Sequence, residues 1–261
     1  VWIRTRTGQR RLRAKHVIIA AGALSTPGLL RRNKLGRYGI AGDALKIHPA
    51  TKVFGMMPNP LAHGGVPQGL GYRPPELPRV TFEGAHTPPS VTATVLAAAG
   101  RRHRWWMARH DHLANYGLMV RDRGTGSVRY PGGKRFVSYR LHDHDALDMG
   151  RGLLIAADAL FAAGAERVLL PVTGEPVEVD RDQFASLRAE DFTRRRLVVS
   201  GFHPQGTAGI GRLVDADLAL LDTPHVHVCD ASVLPDSPGV NPQVSIMALS
   251  LRLADHLAER L

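Results

Sequence analysis

The chain has 261 residues, 44% of them apolar, and a formal net charge of +11. That length suits one large domain or two interleaved ones, and the apolar share is enough for a buried core. A single cysteine, Cys229, excludes an internal disulfide framework and reads as a buried, inert thiol. No apolar run approaches the ~20 residues of a membrane span. The charge invites a nucleic-acid reading, but only 5 of the 34 basic residues are lysine, and the arginines are scattered. No nucleic-acid-binding motif accompanies them, so no nucleic-acid partner is expected.

Residues 1–7 and 11–21 read as a hairpin with a turn at Gly8-Gln9. Its run 17–21 is apolar without alternation, which suits a strand buried on both faces of an α/β sheet. A helix follows, with Ser25 as a candidate N-cap and Pro27 in its first turn. Segments 50–57, 112–120, 126–130 and 135–141 are short strand candidates, with a hairpin signal at 122–127. Two proline-rich stretches, 71–80 and 86–90, read as irregular surface. Residues 146–165 form a helix ended by Gly164, and 166–172 another strand. At the end, 225–232 reads as a buried strand and 244–261 as an apolar-periodic helix with Pro242 near its start. The ends thus have α/β texture and the middle an α+β texture, as if inserted.

Three turns rich in small residues punctuate this pattern: "AAGALSTP" (20–27), "HPQGTAGIG" (203–211) and "CDASVLPDSPGVNP" (229–242). Each alone is an ordinary turn. Together they fit a flat, phosphate-bearing ligand lying against bare backbone.

The words "VIIAAGALSTPGLL", "GDALKIHP", "HPQGTAGIG" and "VCDASVLPDSPGVNPQVSIMAL" resemble, in order and spacing, four landmarks of the glucose–methanol–choline (GMC) flavin oxidoreductases. The last block is most similar to the long-chain alcohol oxidase branch. The resemblance implies a FAD-dependent oxidation of an alcohol to an aldehyde or ketone, with a small-molecule alcohol, of apolar type in the long-chain branch, as the expected substrate. It places the catalytic histidine of the His-Pro-x-Gly-Thr motif at His203 and the second catalytic position at Asn241. FAD contacts fall on Ala21, Gly22 and Ala23, on Asp230 and Ala231, and on Asn241, Pro242 and Gln243. The implied fold is the C-terminal part of a FAD-binding Rossmann-like domain, residues 1–46 and 201–261. Into it an antiparallel-sheet substrate domain, 47–200, is inserted.

The sequence departs from the family pattern in three places. Asn33-Lys34-Leu35-Gly36 stands where Ser-Gly-x-Gly is usual. Ala44-Leu45-Lys46-Ile47-His48-Pro49 lacks the Asn and Asp of Asn-Leu-x-Asp-His-Pro. The Gly-x-Gly-x-x-Gly fingerprint is absent, so the chain reads as a C-terminal fragment whose partner is a missing N-terminal FAD-binding portion. A bacterial, cytoplasmic setting is expected.

The chemistry of the residues agrees with these assignments. Alcohol oxidation removes a hydroxyl proton and a hydride. The hydride needs a cofactor as electron sink. The proton needs a base near working pH, which is histidine's range, and a neutral amide beside it can stabilise charge on the oxygen. His48 reads as a structural residue of the hinge between the domains. The His pairs at 110–112, 142–145 and 225–227 lack a completing ligand, so no metal is expected. The Trp–Arg segment 101–113 is open to two readings, packing with surface charge or a lid admitting apolar substrates. A non-catalytic remnant without flavin remains the alternative to the enzyme reading.

Overall fold

The computed structural model describes residues 1–62 and 68–260. It is a mixed α/β structure with two separate apolar cores. Among the described residues no helix is long and apolar enough to cross a membrane.

The larger core lies under an antiparallel sheet. Its main strands are β5 (Pro49–Met56), β6 (Gln68–Tyr72), β7 (Val80–Ala85), β8 (Leu113–Val120), β11 (Arg167–Leu169) and β12 (Glu178–Val179). They run in the order β12-β11-β5-β8-β7-β6, and β13 (Ser200–Gly201) pairs with the start of β5. Helix α4 (Asp143–Ala162) covers the sheet with Met149, Leu153, Ala157 and Leu160, a 3.6-residue stripe that is fully buried. It can approach closely because Gly55 of β5 faces the helix and Gly152 of the helix faces the sheet; an added Cβ would meet Leu160 and Leu118, respectively, at 3.1 Å. The helix ends as the sequence suggests. Gly164 has φ +98°, the Gly164 N–H donates to the Phe161 carbonyl, and the Ala165 N–H donates to that of Leu160, a Schellman cap. The short helices α2 (Pro89–Val95), α3 (Gly100–Met107) and α5 (Arg181–Ala185) flank this core, with Trp106 of α3 buried in it.

The smaller core joins the two ends of the chain. Strand β3 (Val17–Ile19) pairs in parallel with β15 (Thr223–Val228), and β14 (Ala219–Leu220) adds an antiparallel edge. Helices α1 (Thr26–Asn33) and α6 (Gln243–Ala258) pack Leu30, Leu253 and Leu257 against Ile19 and Val228. The other face of α6 is apolar and open, with Val244 77%, Met247 57% and Leu251 67% exposed. Position 261 of the expected helix lies outside the described residues. A third sheet, β10-β9-β4, links the cores: β4 is Asp43–Leu45, β9 Thr125–Arg129 and β10 Phe136–Arg140.

Four local expectations are corrected. The N-terminal hairpin consists of β1 (Trp2–Thr5) and β2 (Gly8–Arg11), so it turns before Gly8, and run 17–21 leaves it to pair with β15. Nor is that run buried on both faces, because Ile18 is 52% exposed. Segment 122–127 is no hairpin but a crossing from β8 to the third sheet. Its backbone is held otherwise: Lys46 Nζ donates to the carbonyls of 122, 123 and 124, and the Asp145 carboxylate accepts from the N–H groups of 123 and 124. The proline pair at 88–89 begins α2, since proline's fixed φ suits a first helical turn.

The third sheet passes close to the backbone at Gly42, where φ is +94° and an added Cβ would stand 2.2 Å from the Val128 carbonyl oxygen. Gly42→Ala should therefore lower stability by ~2–4 kcal/mol, read as a shift in urea midpoint. Gly132→Ala, at φ +56° with nothing within 4 Å, should cost only about 1 kcal/mol.

Candidate active site

The three small-residue turns meet, and side chains stitch them together. The buried Asp230 carboxylate accepts from the Gly22 N–H at 2.9 Å, the Thr26 hydroxyl at 2.6 Å and the Ser232 N–H at 2.8 Å. Thr207, fully buried, donates its hydroxyl to the Ala23 carbonyl at 2.7 Å. The Ala208 N–H donates to the Ser232 carbonyl at 2.8 Å. Gly206 is required where it stands, because φ is +84° and an added Cβ would lie 2.6 Å from the Ala44 carbonyl oxygen. Asp230 thus holds backbone together with its side chain, and the carbonyls of Asp230 and Ala231 accept from the N–H groups of Val233 and Gly206. Ser25, the expected cap of α1, makes no side-chain cap bond.

His203 enters the site from a strand-like pairing. Its N–H donates to the Ile47 carbonyl, and Lys46 and Gln205 exchange both backbone bonds. This antiparallel run brings His48-Pro49 opposite His203-Pro204. His48 has φ +49°, a left-handed conformation rare outside glycine, and its ring is fully buried. The two rings touch, Nδ1 to Nδ1 at 3.2 Å. His48 Nε2 accepts from the Gly239 N–H at 3.1 Å. Burial lowers His48 to about 4, with Asp122 opposing. Burial also lowers His203, with Glu83 opposing.

His203, Asn241 and Phe202 form a wall shared by two cavities. The first, of 290 Å³, lies under α2 and is lined by Val91, Val95, Leu118 and Met119, with Lys52 and Glu83 as polar members. The second, of 380 Å³, is lined by Ala231, Pro242, Gln243, Ile246 and Met247. The N-terminal turn of α6 contributes to it, and the N–H groups of such a turn carry partial positive charge. Of the residues expected from sequence, His203, Asn241, Ala231, Pro242 and Gln243 therefore lie on the second cavity. Ala21, Gly22, Ala23 and Asp230 do not line it, although the Asp230 carboxylate and Thr207 tie their turn to it. Buried polar atoms without a partner occur in the same turns: both amide atoms of Gln205, and the hydroxyls of Ser232 and Ser237.

Sequence reasoning missed Lys52 and Glu83. They sit on β5 and β7, each opposite Gly117 of β8, so the absent side chain of Gly117 lets both reach over the middle strand. Only the strand register reveals this. It also placed His48 at a hinge rather than against His203; the signal was the repeated His-Pro dipeptide. Other histidines serve local structure. His110 lies within hydrogen-bond distance of the Thr87 carbonyl, His112 of the Met57 carbonyl, and His16 of His227. Among the described residues no group of three or more His, Cys, Asp or Glu could hold a metal ion.

The neutral state of His48 has a consequence for stability. The unfolded ring, with an ordinary value of 6.5, binds a proton that the folded ring refuses down to about 4. Stability should therefore fall as pH drops from 6.5 toward 4, by on the order of 2–3 kcal/mol from this group, and be fully regained above 6.5. Denaturant titrations across that range should show a flatter dependence in His48→Phe.

Comparison with known proteins gives this geometry a context. The family model for GMC oxidoreductases, C-terminal part, matches residues 127–250. An uncharacterized GMC-type oxidoreductase of Mycobacterium tuberculosis is 38% identical over 251 residues, covering 93% of this chain and 39% of its own length. A long-chain-alcohol oxidase of Arabidopsis thaliana is 28% identical over 279 residues, covering 95% of this chain and 36% of its own. The crystal structure of pyridoxine 4-oxidase from Mesorbium loti superposes with a TM-score of 0.69 at 18% identity, over 99% of this chain and 54% of that one. The chain thus spans roughly two fifths of the length of the curated relatives named here. With the His203 and Asp230 turns in place and these matches along nearly its whole length, the chain belongs to the GMC oxidoreductases.

Proposed function

We propose that this chain carries the substrate side and part of the cofactor side of a FAD-dependent oxidation of an alcohol to its aldehyde or ketone. The observation behind this reading is the shared wall. His203 and Asn241 stand between an apolar cavity suited to a substrate and a cavity bounded by Ala231, Pro242 and the start of α6, suited to a flat cofactor. The unpartnered buried atoms of Gln205, Ser232 and Ser237 fit a polar ligand near these turns. FAD would be held by the backbone of the turns at Ala21–Ala23 and Asp230–Ala231 and by Asn241–Gln243, and it supplies the acceptor for the hydride.

Everything else is the work of this chain's residues. The Asn241 amide donates to the alcohol oxygen as negative charge develops there. His203, the ionisable group on that wall, takes the hydroxyl proton. The walls of the first cavity exclude water and bind an apolar body. That supports a long-chain or otherwise apolar alcohol, as does similarity to proteins named long-chain-alcohol oxidases.

In domain terms, residues 1–46 and 201–261 form part of a FAD-binding, Rossmann-like domain and 47–200 the inserted substrate domain. The confinement of each apolar core to one of these sets supports the division. The open apolar face of α6 is where the additional chain of the longer relatives would pack.

The deciding experiment uses the protein together with a dinucleotide-binding portion like that of its longer relatives. It should purify yellow and bleach anaerobically when an apolar primary alcohol is added. His203→Ala should slow flavin reduction by roughly 10²–10⁴ while flavin stays bound. Flavin reduction at the parent rate in His203→Ala would remove His203 from the chemistry, and a colourless protein would favour the non-catalytic reading.

A further inference from the structure

The contact between His48 and His203 fixes more than position. A backbone N–H is only ever a donor, so the Gly239 N–H requires a lone pair on His48 Nε2. Neutral His48 then carries its proton on Nδ1. That nitrogen is 3.2 Å from His203 Nδ1, which must in turn accept. The proton of neutral His203 is left on Nε2. We infer that His48 is a positioning residue that holds His203 in the tautomer whose Nε2 is protonated, and that the Gly239 peptide is the lock.

The lock is well anchored. The Gly239 carbonyl accepts from Arg73 Nη2 at 2.6 Å and from the Thr81 hydroxyl at 3.1 Å. Arg121 Nε holds the Ser237 carbonyl of the same loop at 2.9 Å. Gly239 is thus gripped at its carbonyl by Arg73 and Thr81 and at its N–H by His48. Gly239 has φ +75°, so the turn that aims this N–H suits glycine.

This inference rests on the reading of His203 as the histidine that handles the hydroxyl proton. Acting as a base, His203 must offer a lone pair at Nε2. That needs the other arrangement of the same two protons: one on His203 Nδ1, donated to His48 Nδ1, and one on His48 Nε2. In that arrangement two donors, His48 Nε2–H and the Gly239 N–H, face each other. The locked pair therefore meets an alcohol oxygen with an N–H from His203, and proton uptake becomes available when Gly239 gives up its contact. Asn241 lies two residues further along this loop, so movement that carries Asn241 also carries the lock. Protonation of the pair is opposed in the same way, since imidazolium at His203 places a second proton between the two Nδ1 atoms. Asp122 and Asp236 toward His48 and Glu83 toward His203 favour protonation, Lys52 on the cavity that His203 lines opposes it, and burial outweighs the carboxylates.

The test is ¹⁵N solid-state NMR of histidine-labelled full-length protein at pH 7, with His203→Gln and His48→Phe spectra identifying the two residues among the thirteen histidines. His203 should show an unprotonated Nδ1 and a protonated Nε2, and His48 the reverse. In His48→Phe the His203 nitrogens should move to the averaged positions of a freely exchanging ring, and its protonation midpoint should rise toward the ordinary histidine value. A protonated Nδ1 on His203 in the parent protein overturns the inference, with or without a folded variant. So does a His203 signal unchanged in His48→Phe, which is what mere packing by His48 would give. These readouts need no turnover. Failure of alcohol-dependent flavin reduction with the tautomers as stated would count against the functional reading alone.

Discussion

The site depends on one buried carboxylate. Asp230 gathers the Gly22 N–H, the Thr26 hydroxyl and the Ser232 N–H on two oxygens, joining segments more than 200 residues apart in the chain. Hydrogen bonds to a charged acceptor contribute about 1.5–3 kcal/mol each, and removing the acceptor would strand the buried Thr26 hydroxyl and Ser232 N–H and the half-buried Gly22 N–H. The parallel pairing of β3 with β15 brings these segments side by side, but it leaves their turns free to splay. Asp230 closes that freedom, and Thr207 extends the same tie to the turn carrying His203. The turn that carries His203 is thereby tied to the other two.

Elements whose reasons are local could be read from the sequence. Helix α4 has a continuous apolar stripe and a glycine that can take a left-handed cap. Strand β15 and helix α6 are separated by a turn of unmistakable composition. The α/β texture at the two ends and the antiparallel middle follow from the same periodicities. What escaped had distant causes. The crossing at 122–127 has hairpin composition, yet its backbone partners are Lys46 and Asp145, 76–78 and 21–22 residues away. The exposure of Ile18 depends on what lies over one face of a small sheet.

The same division holds within the site. His203 and Asn241 stand in compact motifs, and the resemblance carried by those motifs points at both. Lys52 and Glu83 have no motif; both line the first cavity because three strands pair in one register with a glycine between them. His48 was visible as a His-Pro dipeptide, but its meaning required the bridge between Lys46 and Gln205 that lays one dipeptide against the other. Some of the arginines have comparably distant partners. Arg31, Arg73 and Arg121 all donate to backbone carbonyls in loops around the small sheet and the Gly239 turn, where a planar fork of donors replaces regular secondary structure.

The third sheet, β10-β9-β4, bears on motion. Its strands come from both sides of the junction between the cores, and β4 is continuous with the run that pairs Lys46 with Gln205. A hinge opening of one core away from the other would have to break the β4–β9 ladder and the Lys46 cluster of carbonyl bonds together. Slow collective closure on the microsecond-to-millisecond scale is thus the costly way to admit a ligand. The cheap way is over α2, a seven-residue helix in which Thr92 alone is buried, tied down through Thr87 and His110. Ligand exchange by this route would be a matter of loop breathing on the faster nanosecond-to-microsecond scale.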